Sequence, residues 1–177
     1  MPRYKLILEF DGGPFVGWQR QDNGRSVQGA LEEAIFKFSG ERAAAFSAGR
    51  TDAGVHATAM PAHFDLERPR PPGVVRDALN FHLKPEPVAV LEAEEAAGDF
   101  HARFSATARR YRYRIVNRRA PLTLDAGRAW RLAPPIDAEA MHAAAQVLVG
   151  RHDFTTFRAS TCQADTPVKT LSSIAVE

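Results

Sequence analysis

One short segment places an acid, a base and a histidine between glycines. Residues 47–57 read SAGRTDAGVHA, in which Asp52 lies between Arg50 and Gly54, and His56 follows four residues after the acid. Glycine is unfavourable inside a helix, so the segment is predicted to be a loop with space around one carboxylate. A carboxylate held ionised by a neighbouring arginine can act as a nucleophile or a base. The alternative is a structural Asx turn in a tight connection, with Arg50 as a surface pair.

A metal site is the second chemistry to consider near this loop. Two acids and two histidines could contribute ligands, namely Asp52, His56, His63 and Asp65. The histidines do not have the spacing of a helical zinc pair, and alternation along a strand would place them on opposite faces. The single cysteine, Cys162, is remote in sequence. We therefore predict no metal site, and the chain also has no serine-nucleophile, nucleotide-phosphate or dinucleotide motif.

An arginine-rich segment is the second feature that could bind a ligand. Residues 99–119 contain seven arginines, no lysine and one acid. Alternation over 108–117, ARRYRYRIVN, predicts a strand with Tyr111, Tyr113 and Ile115 on one face and arginines on the other. Arginine binds phosphate through paired N–H groups, and a tyrosine on a sheet can stack an unpaired base. The pattern favours RNA as partner, while a salt-bridged solvent face with tyrosines packed on a helix is the alternative.

Composition limits the class of protein. Of 177 residues, 45% are hydrophobic and 25% charged, and the net charge is only +2, so a basic surface must be local. No apolar run approaches the length of a membrane span, and the N-terminus leads directly into a strand-like pattern rather than a signal peptide. One cysteine provides no disulfide framework and is typical of a reducing compartment. We predict a cytoplasmic protein with no membrane partner.

Periodicity and turn residues predict an α+β architecture in two units, 1–103 and 104–177. The first unit is predicted to contain strands and two helices, with Ser26 capping the first helix, Gly40 ending it and Trp18 in the core. Pro61 would fit only an edge or a bulge of its strand. The predicted strands are 4–10, 43–46, 56–64 and 88–91, and the predicted helices are 27–39 and 74–83.

The second unit is predicted to have the order strand, helix, strand. The strands cover 108–117 and 168–176, and the helix runs from a cap at Asp137 through Val149 to a stop at Gly150. After the same three elements, the first unit continues with a further helix and strand, whereas the chain ends there in the second unit. We therefore expect the second unit to be incomplete.

Five segments together resemble the TruA-type tRNA pseudouridine synthases. They occur in the family's order over nearly the whole chain, and those at 47–57 and 99–115 are highly specific. The resemblance implies the pseudouridine synthase fold, with two α+β units of RRM or ferredoxin-like type and antiparallel sheets. The segments are FDGGPFVGWQRQ (10–21), RSVQGALEEA (25–34), SAGRTDAGVHA (47–57), DFHARFSATARRYRYRI (99–115) and HDFTTFRA (152–159).

The resemblance also implies an activity and a site. The family converts uridine to pseudouridine at positions 38, 39 and 40 in the anticodon stem-loop of tRNA, as homodimers that need no cofactor or metal. The family's aspartate nucleophile falls on Asp52, its active-site tyrosine on Tyr111 and its motif arginine on Arg50. Beside the tyrosine, Arg109 and Arg110 are candidates for binding the RNA. Which atom of the nucleotide Asp52 attacks is left open.

Three places depart from the family's pattern. Residues 59–61 read Ala-Met-Pro where the family usually has Gly-Gln-Val, and the turn after Asn80 is longer. The chain ends at Glu177, whereas family members continue into strands and a helix that supply another arginine and an apolar residue beneath the base. The resemblance therefore predicts that part of the pocket is missing from this length of chain. A non-catalytic RNA-binding module with RRM-like sheets, or a plain interaction domain, is the alternative function.

Overall fold

A four-stranded antiparallel sheet forms the first of two units, which spans Met1–Arg112. The second unit spans Tyr113–Glu177, so the contacts divide the chain later than the boundary after residue 103 that the sequence predicts. The computed structural model describes residues 1–158 and 166–177. The lone Cys162 and the last residue of the HDFTTFRA segment lie outside the described residues.

The first unit has the element order strand, helix, strand, strand, helix, strand. Its sheet has the order β2-β3-β1-β4 with antiparallel pairing throughout, which confirms the α+β class with an antiparallel sheet. The last strand is longer than predicted, and the short strand expected at 43–46 forms a few residues later. The elements are β1 (Arg3–Phe10), α1 (Val27–Ser39), β2 (Phe46–Ser47), β3 (Ala57–Asp65), α2 (Pro72–Leu83) and β4 (Val88–Ala96).

The core of this unit follows from the periodicity of its elements. Alternate residues of β1, from Tyr4 to Phe10, are buried, and the apolar stripe of α1 packs into the same cluster. Trp18 is 3% exposed, which confirms its predicted place in the core. Ser26 Oγ accepts a hydrogen bond from the Gly29 N–H at 3.1 Å, and Gly40 ends α1 with a φ of 77°. Both ends of this helix therefore lie where the sequence predicts them.

Pro61 lies within β3 without interrupting it. The register with β1 is continuous from Asp65 to Met60 and shifts only beyond it, so no bulge occurs at the proline. The Pro61 carbonyl accepts from the Ala48 N–H at 2.8 Å, on the side of β3 away from β1. The nitrogen of a strand residue faces the same side as its carbonyl, so the missing N–H removes no bond to β1. The β2 pairing ends at Ala62, so Pro61 lies where that pairing stops and not at a free edge, since its carbonyl still accepts from Ala48.

Two side chains hold the segment that follows β4 against the sheet. Arg3 pairs with Asp65 through two 2.7 Å contacts and donates to the carbonyls of Gly98 and Phe100 at 2.8 and 2.6 Å. His63, which is 2% exposed, accepts at Nδ1 from the Ala102 N–H at 3.1 Å. These bonds fix the course of the chain beyond the sheet, where it leads into the arginine-rich segment.

The second unit contains two small sheets and one short helix. β5 and β6 pair in parallel, β7 and β8 pair antiparallel, and α3 buries none of its residues. Asp137 Oδ1 caps α3 by accepting from the Ala140 N–H at 2.9 Å, as predicted. The elements are β5 (Ile115–Asn117), β6 (Trp130–Leu132), α3 (Ala138–Ala145), β7 (Gly150–Asp153) and β8 (Val168–Leu171).

The predicted strand over 108–117 is wrong for residues 108–114. Only Ile115–Asn117 is a strand, because β6 pairs with those three residues alone. Over the described part of the chain, residues 108–113 lie beside no strand partner, Arg114 contributes only its carbonyl to the Trp130 N–H at 2.8 Å, and the side chains of 108–114 are exposed. Alternating side chains predict which face a strand would bury, but they do not supply the neighbouring strand that its hydrogen bonds require.

The other predicted elements of this unit are too long. The helix expected through Val149 ends at Ala145 and tightens into a 3-10 turn at Gln146–Leu148. The last strand ends at Leu171 rather than at 176. With no buried face on α3, packing does not favour further helical turns over the tighter turn.

Burial of His63 predicts a pH-dependent stability. Burial and the nearby His101 and Arg3 lower the pKa of His63 from 6.5 to about 4. Between these values the unfolded chain binds a proton that the folded chain does not, so the unfolding free energy falls as the pH drops from 6.5 towards 4. One such group changes the unfolding free energy by about 1.4 kcal/mol per pH unit.

Urea unfolding at several pH values checks this prediction. His63→Gln retains an acceptor for the Ala102 N–H but removes the titrating ring, so the slope should decrease. His82→Gln, on the last turn of α2, is the control and should retain the wild-type slope. An unchanged slope in His63→Gln would assign the pH dependence to another group.

Candidate active site

Asp52 lies in a loop that packs backbone to backbone against another loop. We name residues 48–56 the Asp52 loop and residues 11–18 the facing loop. The Trp18 N–H donates to the Thr51 carbonyl at 2.9 Å, and the Gly54 N–H donates to the Phe15 carbonyl at 3.4 Å. The Val55 N–H donates to the Asp52 carbonyl at 3.2 Å and closes a turn at the acid. The backbone on both sides of Asp52 is thus fixed by neighbours.

Two glycines of the facing loop make this close approach possible. A Cβ at Gly12 would lie 2.1 Å from the Val55 carbonyl oxygen, and one at Gly17 would lie 2.6 Å from the Thr51 carbonyl oxygen. Gly17 also has a φ of 119°, which other residues rarely adopt. The glycines of FDGGPFVGWQ therefore permit the contacts that hold the Asp52 loop.

His56 joins the end of the Asp52 loop to the facing loop. Its Nδ1 accepts from the Gly12 N–H at 3.1 Å and lies 3.0 Å from Asp11 Oδ1. In this position His56 has a structural role, because it connects the Asp52 loop to the facing loop. Within residues 1–158 and 166–177, no three His, Cys, Asp or Glu side chains are grouped so as to hold a metal ion.

The start of the Asp52 loop is held from two directions. The Ala48 N–H is bonded to Pro61 of β3, and the Ala48 carbonyl accepts from Arg109 Nε at 3.1 Å and Nη2 at 2.8 Å. Ser47 Oγ also donates to the Gly49 carbonyl at 2.7 Å. The sequence does not predict the Arg109 contact, because the partners are 61 residues apart and a backbone carbonyl leaves no signal in the sequence.

The predicted site residues occupy different positions around this loop. Asp52 and Arg50 both lie in the loop with exposed side chains, and Arg109 contacts it. Arg110 is exposed, and Tyr111 is 83% exposed. The alternative in which Tyr111 packs against a helix is therefore wrong. The orienting role of Arg50 stays a prediction.

The arrangement presents one accessible carboxylate on a fixed backbone. An exposed side chain can reach a substrate, and a backbone held at both ends limits the positions that its carboxylate adopts. A nucleophile or base that must meet one atom of a bound substrate needs both properties. The surface cavity of about 340 Å³ lined by Arg20, Glu32 and Phe36 belongs to α1 and its neighbours rather than to this loop.

The contact between Gly12 and Val55 predicts the effect of one added methyl group. Gly12→Ala should displace the Asp52 loop and lower the unfolding free energy by about 1–3 kcal/mol, because neither backbone can yield without moving. Gly98→Ala is the control, since a Cβ there meets nothing within 4 Å. Denaturant unfolding measures both variants, and equal stability of the two would contradict the close approach.

Comparison with known proteins agrees with the motifs. The family model described as tRNA pseudouridine synthase matches residues 6–105 and 144–177. A tRNA pseudouridine synthase A of Rhodospirillum centenum is 65% identical over 176 residues, which cover 99% of this chain and 72% of that protein. Proteins of the same name from Parvibaculum lavamentivorans and Maricaulis maris are 62% and 59% identical, and the match covers 72% and 71% of their lengths. The chain therefore belongs to the tRNA pseudouridine synthase family.

Proposed function

We propose that this chain isomerises uridine to pseudouridine in tRNA, with Asp52 as the nucleophile. Membership of the family and the names of its relatives support an isomerase that acts on tRNA. The observation that carries the assignment to Asp52 is its exposed carboxylate in the middle of a loop whose backbone is held on both sides. The neighbouring acid Asp11 instead accepts from the Gly13 N–H through Oδ1 and lies beside the His56 ring.

The reaction needs a single nucleophilic group. The bond between C1′ of the ribose and N1 of uracil breaks, a bond between C1′ and C5 forms, and the proton on C5 is lost while N1 gains one. Nothing is oxidised, and no phosphate is transferred. An ionised carboxylate can add to C1′ or to the uracil ring, hold the intermediate and then leave. The absence of a second carboxylate from the motif is consistent with this scheme.

The uracil must leave its stack before it reacts and must rotate after it detaches. Flipping a nucleotide out costs a few kcal/mol, which binding to the protein must offset. The exposed ring of Tyr111 provides a flat surface on which the detached base can turn. Arg50 and Arg110 would orient the flipped nucleotide and bind its phosphates. Binding of RNA by Arg109 stays a prediction, since two of its nitrogens already bond to Ala48.

Finer features of the family are proposed for this chain on the resemblance. The target uridines are those at positions 38, 39 and 40 of the anticodon stem-loop, and the working form is a homodimer. The order β2-β3-β1-β4 supports a ferredoxin-like first unit. No described helix is long and apolar enough to cross a membrane. A single cysteine and a tRNA substrate support a cytoplasmic location.

Removal of the Asp52 carboxylate gives the first test. Release of tritium from tRNA labelled with [5-³H]uridine measures loss of the C5 proton. We expect Asp52→Asn to reduce release by more than about 1,000-fold, with tRNA affinity largely retained, because a nucleophile acts in the chemical step. Asp22→Asn changes another exposed acid of the same unit and should release tritium as the wild type does.

The outcomes separate the candidate functions. Release by Asp52→Asn at the wild-type rate would contradict the nucleophile. Binding of tRNA without release by the wild type would favour the non-catalytic RNA-binding module.

Variants of Tyr111 test the surface proposed for the base. Tyr111→Phe keeps the ring and Tyr111→Ala removes it, so a stacking role predicts a small effect for the first and a loss of about 1–3 kcal/mol of nucleotide binding for the second. Single-turnover release and tRNA binding measure both. A loss in Tyr111→Phe as large as that in Tyr111→Ala would assign the role to the hydroxyl group instead of the ring.

A further inference from the structure

Arg109 directs one whole edge of its guanidinium group at the protein backbone. Nε and Nη2 both donate to the Ala48 carbonyl, at 3.1 and 2.8 Å, and Nη2 also donates to the Arg103 carbonyl at 3.2 Å. The edge formed by Nε and Nη2 is one of those with which arginine binds a phosphate through two parallel N–H groups. In Arg109 this edge is occupied by peptide carbonyls.

The carbonyl that Arg109 binds controls the direction of the Asp52 loop. Ala48 is 6% exposed and is the last residue before Gly49, whose backbone has more freedom than that of any other residue type. The Ala48 N–H is fixed by Pro61 of β3, and the Ala48 carbonyl is fixed by Arg109. The two bonds set the peptide plane from which the chain turns towards Asp52.

We propose that Arg109 is a positioning residue that braces the Asp52 loop, rather than a residue that binds phosphate. This inference rests on the proposed function, because the loop matters for the reaction only if Asp52 is the nucleophile. The brace joins the arginine-rich segment to the start of the loop, while the contacts of the facing loop hold its middle and its end. Loss of the brace should therefore alter the placement of the carboxylate without altering the charge that the RNA meets.

Replacement by lysine separates the two roles. Arg109→Lys keeps the positive charge, and so it keeps most of a phosphate contact, but one ammonium group cannot reproduce the two-nitrogen grip on the Ala48 carbonyl. Arg68→Lys is the matched control: Arg68 is exposed, lies outside the arginine-rich segment, and its side chain forms no hydrogen bond or ion pair among the residues that the structure describes. Arg110→Gln is the comparison for loss of a proposed phosphate contact.

Single-turnover tritium release and tRNA binding over a range of salt concentrations provide the kinetic test. We expect Arg109→Lys to slow release about 10- to 100-fold, since small misplacements of reacting groups have effects of this size, with tRNA affinity changed less than about 3-fold. Arg68→Lys should resemble the wild type. Arg110→Gln should weaken tRNA binding. It should also reduce the slope of log affinity against log salt concentration by the amount expected for about one phosphate contact. The proposal would be overturned if Arg109→Lys released tritium at the wild-type rate and Arg109→Gln, which removes the charge, reduced the salt slope.

Amide hydrogen exchange tests the brace without reference to catalysis. The Ala48 and Gly54 amides are hydrogen bonded and report on the two ends of the Asp52 loop. Arg109→Lys should speed exchange at Ala48 more than at Gly54, and Arg68→Lys should change neither. Unchanged exchange at Ala48 would contradict the brace even if Asp52→Asn abolishes release. Faster exchange at Ala48 would support it even if Asp52→Asn releases tritium normally, a result that would contradict only the proposed function.

Discussion

The close approach of two backbones is the constraint on which the candidate site depends. Val55 and Thr51 present carbonyl oxygens to the facing loop at positions where Gly12 and Gly17 have no side chain. No side-chain packing could substitute for this contact, because any Cβ at either glycine would lie less than 3 Å from the opposing backbone. Hydrogen bonds from the Trp18 and Gly54 amides then fix the relative position of the loops. The exposed carboxylate of Asp52 is therefore carried by an immobilised backbone.

A series of side chains connects the sheet to the Asp52 loop through the segment that follows β4. Arg3 and His63 bind carbonyls and an amide of the segment after β4, and Arg109, further along the same segment, returns to bind Ala48. Each of these bonds joins a side chain to backbone that no strand would otherwise satisfy. The Arg3 guanidinium also holds the pKa of the Asp65 carboxyl below its ordinary value, mainly through their hydrogen bonds. The arginine-rich segment is thus partly structural, and its sequence alone suggested only a surface for RNA.

Local signals explain which parts of the fold the sequence predicts. The bounds of α1 are correct because a serine cap and a terminal glycine act within one helical turn. The strand at 108–114 is wrong because alternation says nothing about a partner strand, and β6 and β7 escaped prediction because three or four residues carry too little periodicity. The motif around Asp52 was recognisable in sequence, but the glycines that its close contact requires, Gly12 and Gly17, lie in the facing loop and were not predicted. Nor was the brace from Arg109 predicted, since it joins residues distant in sequence through a backbone atom.

The most direct test of the central claim moves the carboxylate without removing it. Asp52→Glu keeps the charge, the exposure and the backbone, and displaces the carboxylate oxygen atoms by about one methylene group. If the fixed backbone sets the position of the nucleophile, single-turnover tritium release from [5-³H]uridine-labelled tRNA should fall by at least about 100-fold, with tRNA affinity retained. Release by Asp52→Glu at close to the wild-type rate would contradict the account, because the position of the loop would then be of no consequence for the reaction.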